Sequence, residues 1–247
     1  MSKTNYLFSV VILSHNTSKV LKNCLDSLYQ FNTGISFETI VIDHNSQDDS
    51  VKMLTNFQKT HKNFTLVVKK DNPGFGAGCN RAAKIANGKF LVFLNSDTLF
   101  IDNVFSSLET KLPNHKNLGI YSLKLLNQDK SFQASGGSFP NLANLFLWQF
   151  GVDDIPFLGN IFSSFHPKET GSVYKKGPDW VTGAFMIIPK DVFEAVGGFD
   201  EKIFMYTEEM ELAYRISKLG KRVVYDPSER IIHLGGASGG NYLALTS

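Results

Sequence analysis

The chain has 247 residues, 43% of them apolar and 19% charged, with a formal net charge of +2. That length and apolar content suffice for one substantial core, as a single domain or a domain with an appended lobe, and so small a net charge gives no field that would argue for nucleic acid as a partner. No apolar run approaches the ~18 residues of a membrane span and the N-terminus lacks a signal-peptide pattern, so a soluble cytoplasmic protein is expected. Cys24 and Cys79 lie in apolar helical patterns without metal-ligand spacing, which suits buried thiols in a reducing compartment.

The first half alternates strands and helices. Residues 7–13 read as an almost continuous apolar strand, after which Val20, Leu21, Cys24, Leu25, Leu28 and Phe31 recur at helical spacing, with Thr17 or Ser18 as N-cap. Residues 37–42 give a second strand, 48–61 a second helix with Val51, Leu54 and Phe57 on one face, and 64–68 a third strand. A helix over 75–87 ending at Gly88 and a strand over 89–94 follow. Repeated β-α-β units with short connections predict an α/β fold with a largely parallel, buried sheet and helices on both faces. The rhythm stops at 138–178, where Pro, Gly and aromatic residues (Phe139, Phe146, Trp148, Phe150, Phe157, Phe162, Phe165) mix without period, predicting an inserted lobe or lid. Beyond the apolar stretch 180–188, residues 191–196 and 208–219 read as helices, the second closed by Gly220.

Three features carry chemistry. Glu208, Glu209 and Glu211 crowd one helical turn just after Gly197-Gly198-Phe199-Asp200. Mutual repulsion disfavours such a cluster; the helix dipole and Arg215, four residues beyond Glu211, soften it, so a solvated helix start would account for these residues taken alone. They are not alone. Asn95-Ser96-Asp97 closes the apolar run 89–94, placing a carboxylate at a strand end, where open α/β sheets keep their ligand crevice, and His233 closes the pair Ile231-Ile232. The glycines of Asn72-Pro-Gly-Phe-Gly-Ala-Gly-Cys-Asn80 are not spaced as a dinucleotide fingerprint, since the third glycine falls out of register.

Five segments in order, residues 10–16, 40–46, 72–80, 94–98 and 179–238, make the chain resemble a family 2 inverting glycosyltransferase of the GT-A fold, with a rhamnosyltransferase-like layout. The resemblance implies a nucleotide-diphospho-sugar transferase fold and a single glycosyltransferase domain over 1–247. Residues 1–100 would be the nucleotide-sugar-binding half, and 101–247 the acceptor and catalytic half with the lobe 138–178 on the acceptor side. The alternative for that lobe is a hydrophobic subdomain burying its own aromatics.

By the same resemblance, donor binding falls to Ser14, His15, Asn16, Asp43, His44, Gly74, Asn80, Asn95 and Asp97. His15 takes the place of the ring that lies against the nucleobase, and Asp43 resembles the base and ribose contact, with His44 beside it. Gly74 lets backbone approach the nucleotide and Asn80 adds a polar contact. Asn95-Ser96-Asp97 stands for the family's Asp-x-Asp motif with its first Asp lost, so Asp97 and His233 would hold Mg²⁺ or Mn²⁺. Glu209 is expected as the catalytic base, kept ionised by the helix dipole, with Glu208 as the other candidate. Trp180, Gly183, Glu208 and Glu211 would meet the acceptor.

A slot lined by His15, Asp43 and His44 suits a single pyrimidine ring, so the implied donor is a UDP- or dTDP-sugar. The implied acceptor is a glycan or lipid-linked hydroxyl in surface polysaccharide or cell-wall assembly, with peripheral association at the inner face of the cell membrane. Two other classes stand beside this reading. A non-catalytic nucleotide-sugar or carbohydrate binder would release no nucleotide, and a nucleotidyltransferase should carry a basic glycine-rich loop after the first strand, where Ser14-His-Asn-Thr-Ser18 has none.

Overall fold

The structure is a computed structural model that describes residues 6–150, 173–174 and 177–235. Most of the aromatic segment, including Phe157, Phe162, Phe165 and the side chain of Trp148, lies outside the described residues. Among those described, no helix is long and apolar enough to cross a membrane.

Four strands follow the sequence reading: β1 (Phe8–Ser14), β2 (Phe37–His44), β3 (Phe64–Lys69) and β4 (Phe90–Leu94). β2 and β4 flank β1 in parallel, and β3 pairs in parallel with β2. The chain therefore builds outward from β1 on one side and then returns to its other side, which makes the gap between the ends of β1 and β4 a topological switch point. β1, β2 and β4 are buried over nearly their whole length, as expected of strands covered on both faces.

Alternation sorts their side chains into two cores. Phe8, Val10 and Ile12 of β1, with Phe90, Val92 and Leu94 of β4, pack with Leu21, Cys24, Leu25 and Leu28 of α1 (Ser18–Phe31), Leu54 of α2 (Ser50–Thr60) and Phe105 and Leu108 of α4 (Val104–Lys111). Val11, Ile40, Ile42, Leu91 and Phe93 face the other way, onto Cys79 and Ala82 of α3 (Phe75–Ala83), the short helix Lys190–Ala195 and the helix Glu208–Lys218. Period-2 strands between period-3.6 helices thus bury both faces of one sheet. Cys24 and Cys79 are both free and buried, and desolvation pushes the Cys24 thiol up to about 12.

The far half of the sheet departs from the sequence reading. β6 (Leu118–Leu126) and β11 (Arg222–His233) pair in parallel there, yet Gly119, Ser122 and Lys124 interrupt the apolar pattern of β6 and hide it. The structure uses these exceptions: Ser122 Oγ donates to the Phe185 carbonyl at 2.8 Å, and a Cβ at Gly119 would stand 2.5 Å from Ile216. Between β4 and β6 runs β10 (Phe185–Pro189), antiparallel to both, so the mostly parallel sheet contains a reversed central strand. Small antiparallel pieces finish it, with β5 (Thr98–Leu99) on β11 and β7 (Phe132–Gln133) on β6. β8 (Gly136–Gly137) and β9 (Trp180–Val181) form a separate two-stranded ladder that closes the two ends of the aromatic segment together. Of that segment, Phe139 packs edge-on against Tyr214, while Phe146 and Phe150 on and after α5 (Leu142–Gln149) are exposed.

Candidate active site

The ends of β1, β2 and β4 open into a cleft lined by Ser14, His15, Thr17, His44, Gly74, Phe75, Asn95, Ser96 and Met205. His15 is exposed and anchored through Nδ1, which pairs with the His44 carbonyl oxygen at 2.6 Å and leaves the ring face available. The His44 side chain is buried, its Nε2 has no partner among the described residues, and desolvation followed by the nearby Arg81 charge lowers its pKa. Gly78 makes room for it, since a Cβ there would lie 2.5 Å from His44 Cε1.

Two expected donor contacts instead build the loops. Asp43 is fully buried; its carboxylate accepts from Ser14 Oγ (2.9 Å), Ser46 N (3.0 Å) and Ser46 Oγ (2.7 Å), so it shapes the cleft rather than lining it. Asn16, in the left-handed region at φ 56°, accepts from Gln47 N at 2.7 Å and takes Ser46 Oγ on its own N–H at 2.8 Å, which sews the loop after β1 to the loop after β2. In both cases polar valence at a strand end is satisfied within the protein before any ligand arrives.

The glycine-rich start of α3 is likewise packed against protein. Gly74 has φ 96°, and a Cβ would sit 2.1 Å from the Phe204 carbonyl oxygen, which also accepts from Phe75 N at 3.0 Å. Asn80, expected at the donor, is buried, and both ends of its amide are committed. Nδ2 donates to Phe199 O (2.9 Å) and Glu201 Oε1 (3.0 Å), while Oδ1 accepts from Phe199 N (2.9 Å). Its role is to clamp the 198–201 turn that leads into the acidic helix.

At the end of β4, Asn95 N donates to Ala184 O at 3.2 Å, which ties this corner to the segment carrying Gly183. Asp97 is 1% exposed, and among the described residues neither carboxylate oxygen has a hydrogen-bond partner. A buried carboxylate without donors is costly unless something cationic completes it. His233, at the end of β11, is placed opposite: its Nε2 is 3.3 Å from Asp97 Oδ1 and 3.3 Å from Asn95 Nδ2, and its Nδ1 is 2.7 Å from Gln133 Oε1. An orphaned carboxylate beside an imidazole nitrogen is a donor set for a hard divalent ion, and these residues fit one. Among the described residues no group of three or more His, Cys, Asp and Glu side chains is placed to hold a metal ion, so beyond Asp97 and His233 the described residues supply no third ligand of these types.

The acidic helix divides its three carboxylates. Glu211, expected at the acceptor, pairs with Arg215, whose Nη2 donates to it at 2.6 Å and whose Nη1 holds the Val196 carbonyl at 2.6 Å. Glu209 Oε1 accepts from Gly183 N at 2.8 Å, and a Cβ at Gly183 would collide with that oxygen and with the Phe75 ring. Gly183 therefore holds the carboxylate in place of contacting an acceptor. Glu208 is 2% exposed, and its Oε2 has no partner among the described residues. The expectation that the dipole keeps these groups acidic is reversed: desolvation, then the charge of Glu209, raises Glu208 to about 7, and desolvation raises Glu209 above its ordinary value. Trp180, expected at the acceptor, is 8% exposed and donates Nε1 to Ser138 O at 3.1 Å, so its ring is core.

Sequence reasoning did not single out Phe75, Met205 or Gln133. The first two read as ordinary apolar residues and enter the cleft only because the 199–206 turn folds over Gly74. The last belongs to a hairpin with no periodic signal.

The sequence profile described as Glycosyl transferase family 2 matches residues 9–168, more than half of the chain. Rhamnosyltransferase WbbL of Escherichia coli is 26% identical over 227 residues, covering 78% of this chain and 81% of WbbL. O-antigen biosynthesis protein RfbC of Myxococcus xanthus is 26% identical over 236 residues, but the match spans only 17% of that longer protein. Among solved structures, mannosyltransferase PcManGT from Pyrobaculum calidifontis, in complex with GDP-Man and Mn²⁺, superposes with a TM-score of 0.66 at 16% identity over 94% of this chain and 57% of its own. GalNAc-T7 with UDP, GalNAc and Mn²⁺ gives 0.68 at 15% identity over 92% of this chain and 44% of its own. These distant likenesses establish the GT-A fold, and with the profile match over the strand-end motifs the chain belongs to glycosyl transferase family 2.

Proposed function

We propose that this glycosyltransferase moves a sugar, with inversion, from a pyrimidine nucleoside-diphosphate donor to a hydroxyl of a glycan or lipid-linked acceptor. The observation that carries the reading is the pair of Asp97 oxygens, unpartnered among the described residues, beside His233 Nε2 just beyond the end of β4. Asp97 and His233 would hold Mg²⁺ or Mn²⁺, which when bound neutralises charge on the departing diphosphate. The base and ribose would lie against the exposed His15, with the buried His44 forming the floor of the cleft beside it.

The Glu209 carboxylate takes the proton from the acceptor hydroxyl. The freed oxygen attacks the anomeric carbon, the bond from that carbon to the phosphate oxygen breaks, and nucleoside diphosphate leaves with the electron pair. One base suffices for a single displacement. Gly183 N fixes Glu209 Oε1, and burial strengthens the carboxylate as a base. The names of the relatives, O-antigen biosynthesis protein and rhamnosyltransferase, support a role in surface polysaccharide assembly; work at the inner face of the cell membrane, with the 138–178 lobe on the acceptor side, is our proposal.

The test is nucleotide release from a panel of UDP-, dTDP- and GDP-sugars, with and without chelator, for the native protein and Asp97→Asn. Metal-dependent release from a UDP- or dTDP-sugar that Asp97→Asn abolishes is the expected result. A preference for GDP-sugars overturns the donor class, and release unaffected by chelator and by the variant overturns the metal assignment.

A further inference from the structure

The hairpin joining β6 and β7 closes tightly, with Asn127 N bonded to Ser131 O at 2.9 Å, and it delivers Gln133 against β11. Gln133 Nε2 donates to Asn127 Oδ1 (2.9 Å) and to the His233 carbonyl oxygen (3.1 Å). Asn127 Nδ2 donates to Ser131 Oγ (2.9 Å) and Phe132 O (3.3 Å), which fixes the end of Asn127 that faces Gln133. With both its donors committed, Gln133 presents only its oxygen to His233 Nδ1, at 2.7 Å, so Nδ1 carries the ring proton. Nε2 then carries the lone pair, which accepts from Asn95 Nδ2 at 3.3 Å, in agreement with that tautomer.

This arrangement opposes a local preference. Asp97 Oδ1, 3.3 Å from Nε2, would by itself draw the ring proton to Nε2, where it blocks the lone pair. We propose that Gln133 is a positioning residue that locks His233 as the Nδ1–H tautomer and thereby sets the affinity of the Asp97–His233 pair for a divalent cation. The inference rests on reading those two residues as cation ligands. Outer hydrogen bonds of this kind are worth about 10–100-fold in metal affinity.

Two readouts test it. Nitrogen-15 NMR of the cation-free protein reports the His233 tautomer, and paramagnetic resonance of free Mn²⁺ during titration in the presence of UDP reports affinity. Native protein is expected to show Nδ1–H. Gln133→Met, close in shape but with no acceptor, should shift the proton to Nε2 and weaken Mn²⁺ about 10–100-fold. Gln133→Glu loses the same two donated bonds yet keeps an acceptor opposite Nδ1, so it should retain the tautomer and near-native affinity. An Nε2–H ring in the native protein, or equal weakening by Met and Glu, overturns the inference. His233→Ala is the separate control: unchanged Mn²⁺ affinity there overturns the ligand reading itself, while weakening by His233→Ala but not by Gln133→Met leaves the ligands standing and removes Gln133's role.

Discussion

Glu208→Gln should stabilise the fold, and by an amount that grows with pH. Burial and the adjacent Glu209 raise Glu208 from 4.5 to about 7. Between those values the native state binds a proton that the unfolded chain has released. Native stability therefore falls as pH rises through this window, with the full loss present above pH 7 and none well below 4.5. Moving the carboxyl that far corresponds to about 3 kcal/mol at 1.36 kcal/mol per pH unit, of which about 1 kcal/mol is already lost at pH 5 and nearly all at pH 8. Water reaching Oε2 and relaxation of the first helical turn would reduce the difference, so about 1–2 kcal/mol is expected between the two pH values. Urea unfolding of the native protein and of Glu208→Gln at pH 5 and pH 8 measures it, provided both unfold with the same denaturant slope. The native protein should lose that much more than the variant on going to pH 8. Parallel pH dependence in the two proteins would refute a buried, proton-binding Glu208.

Glu209→Gln should lower sugar transfer by about 10²–10⁴-fold with donor affinity little changed, measured by transfer rates beside nucleotide titration; if Glu208→Gln is the crippled variant instead, the base is its neighbour. Asn80→Ala removes the clamp on Phe199 and Glu201 and should cost about 1–3 kcal/mol in thermal or urea unfolding. UDP affinity of the folded Asn80→Ala protein should stay near native, and a selective loss of UDP binding without loss of stability would return Asn80 to the donor site.

What the sequence determined by itself was the part of the fold that obeys a period. Apolar runs such as 7–13 and 89–94 can only be buried strands, and Val20 to Phe31 only an amphipathic helix, so the β-α-β half and its strand-end motifs were legible. The start of the acidic helix and its closing Gly220 were legible for the same local reason. β6 was not, because Ser122 and Gly119 look polar or permissive until β10 and Ile216 are beside them. The tertiary structure also decided how polar groups at the site are spent. Asp43, Asn16, Asn80 and Glu211 occupy positions where motif order suggests ligand contacts, yet each is saturated by protein partners far away in sequence or one helical turn on. Asp97, His44 and Glu208 are left with buried atoms that no group among the described residues satisfies. That distinction is a property of three-dimensional hydrogen-bond accounting, and residue type at a strand end cannot carry it: the same carboxylate is scaffold where donors converge on it and a candidate ligand where none do.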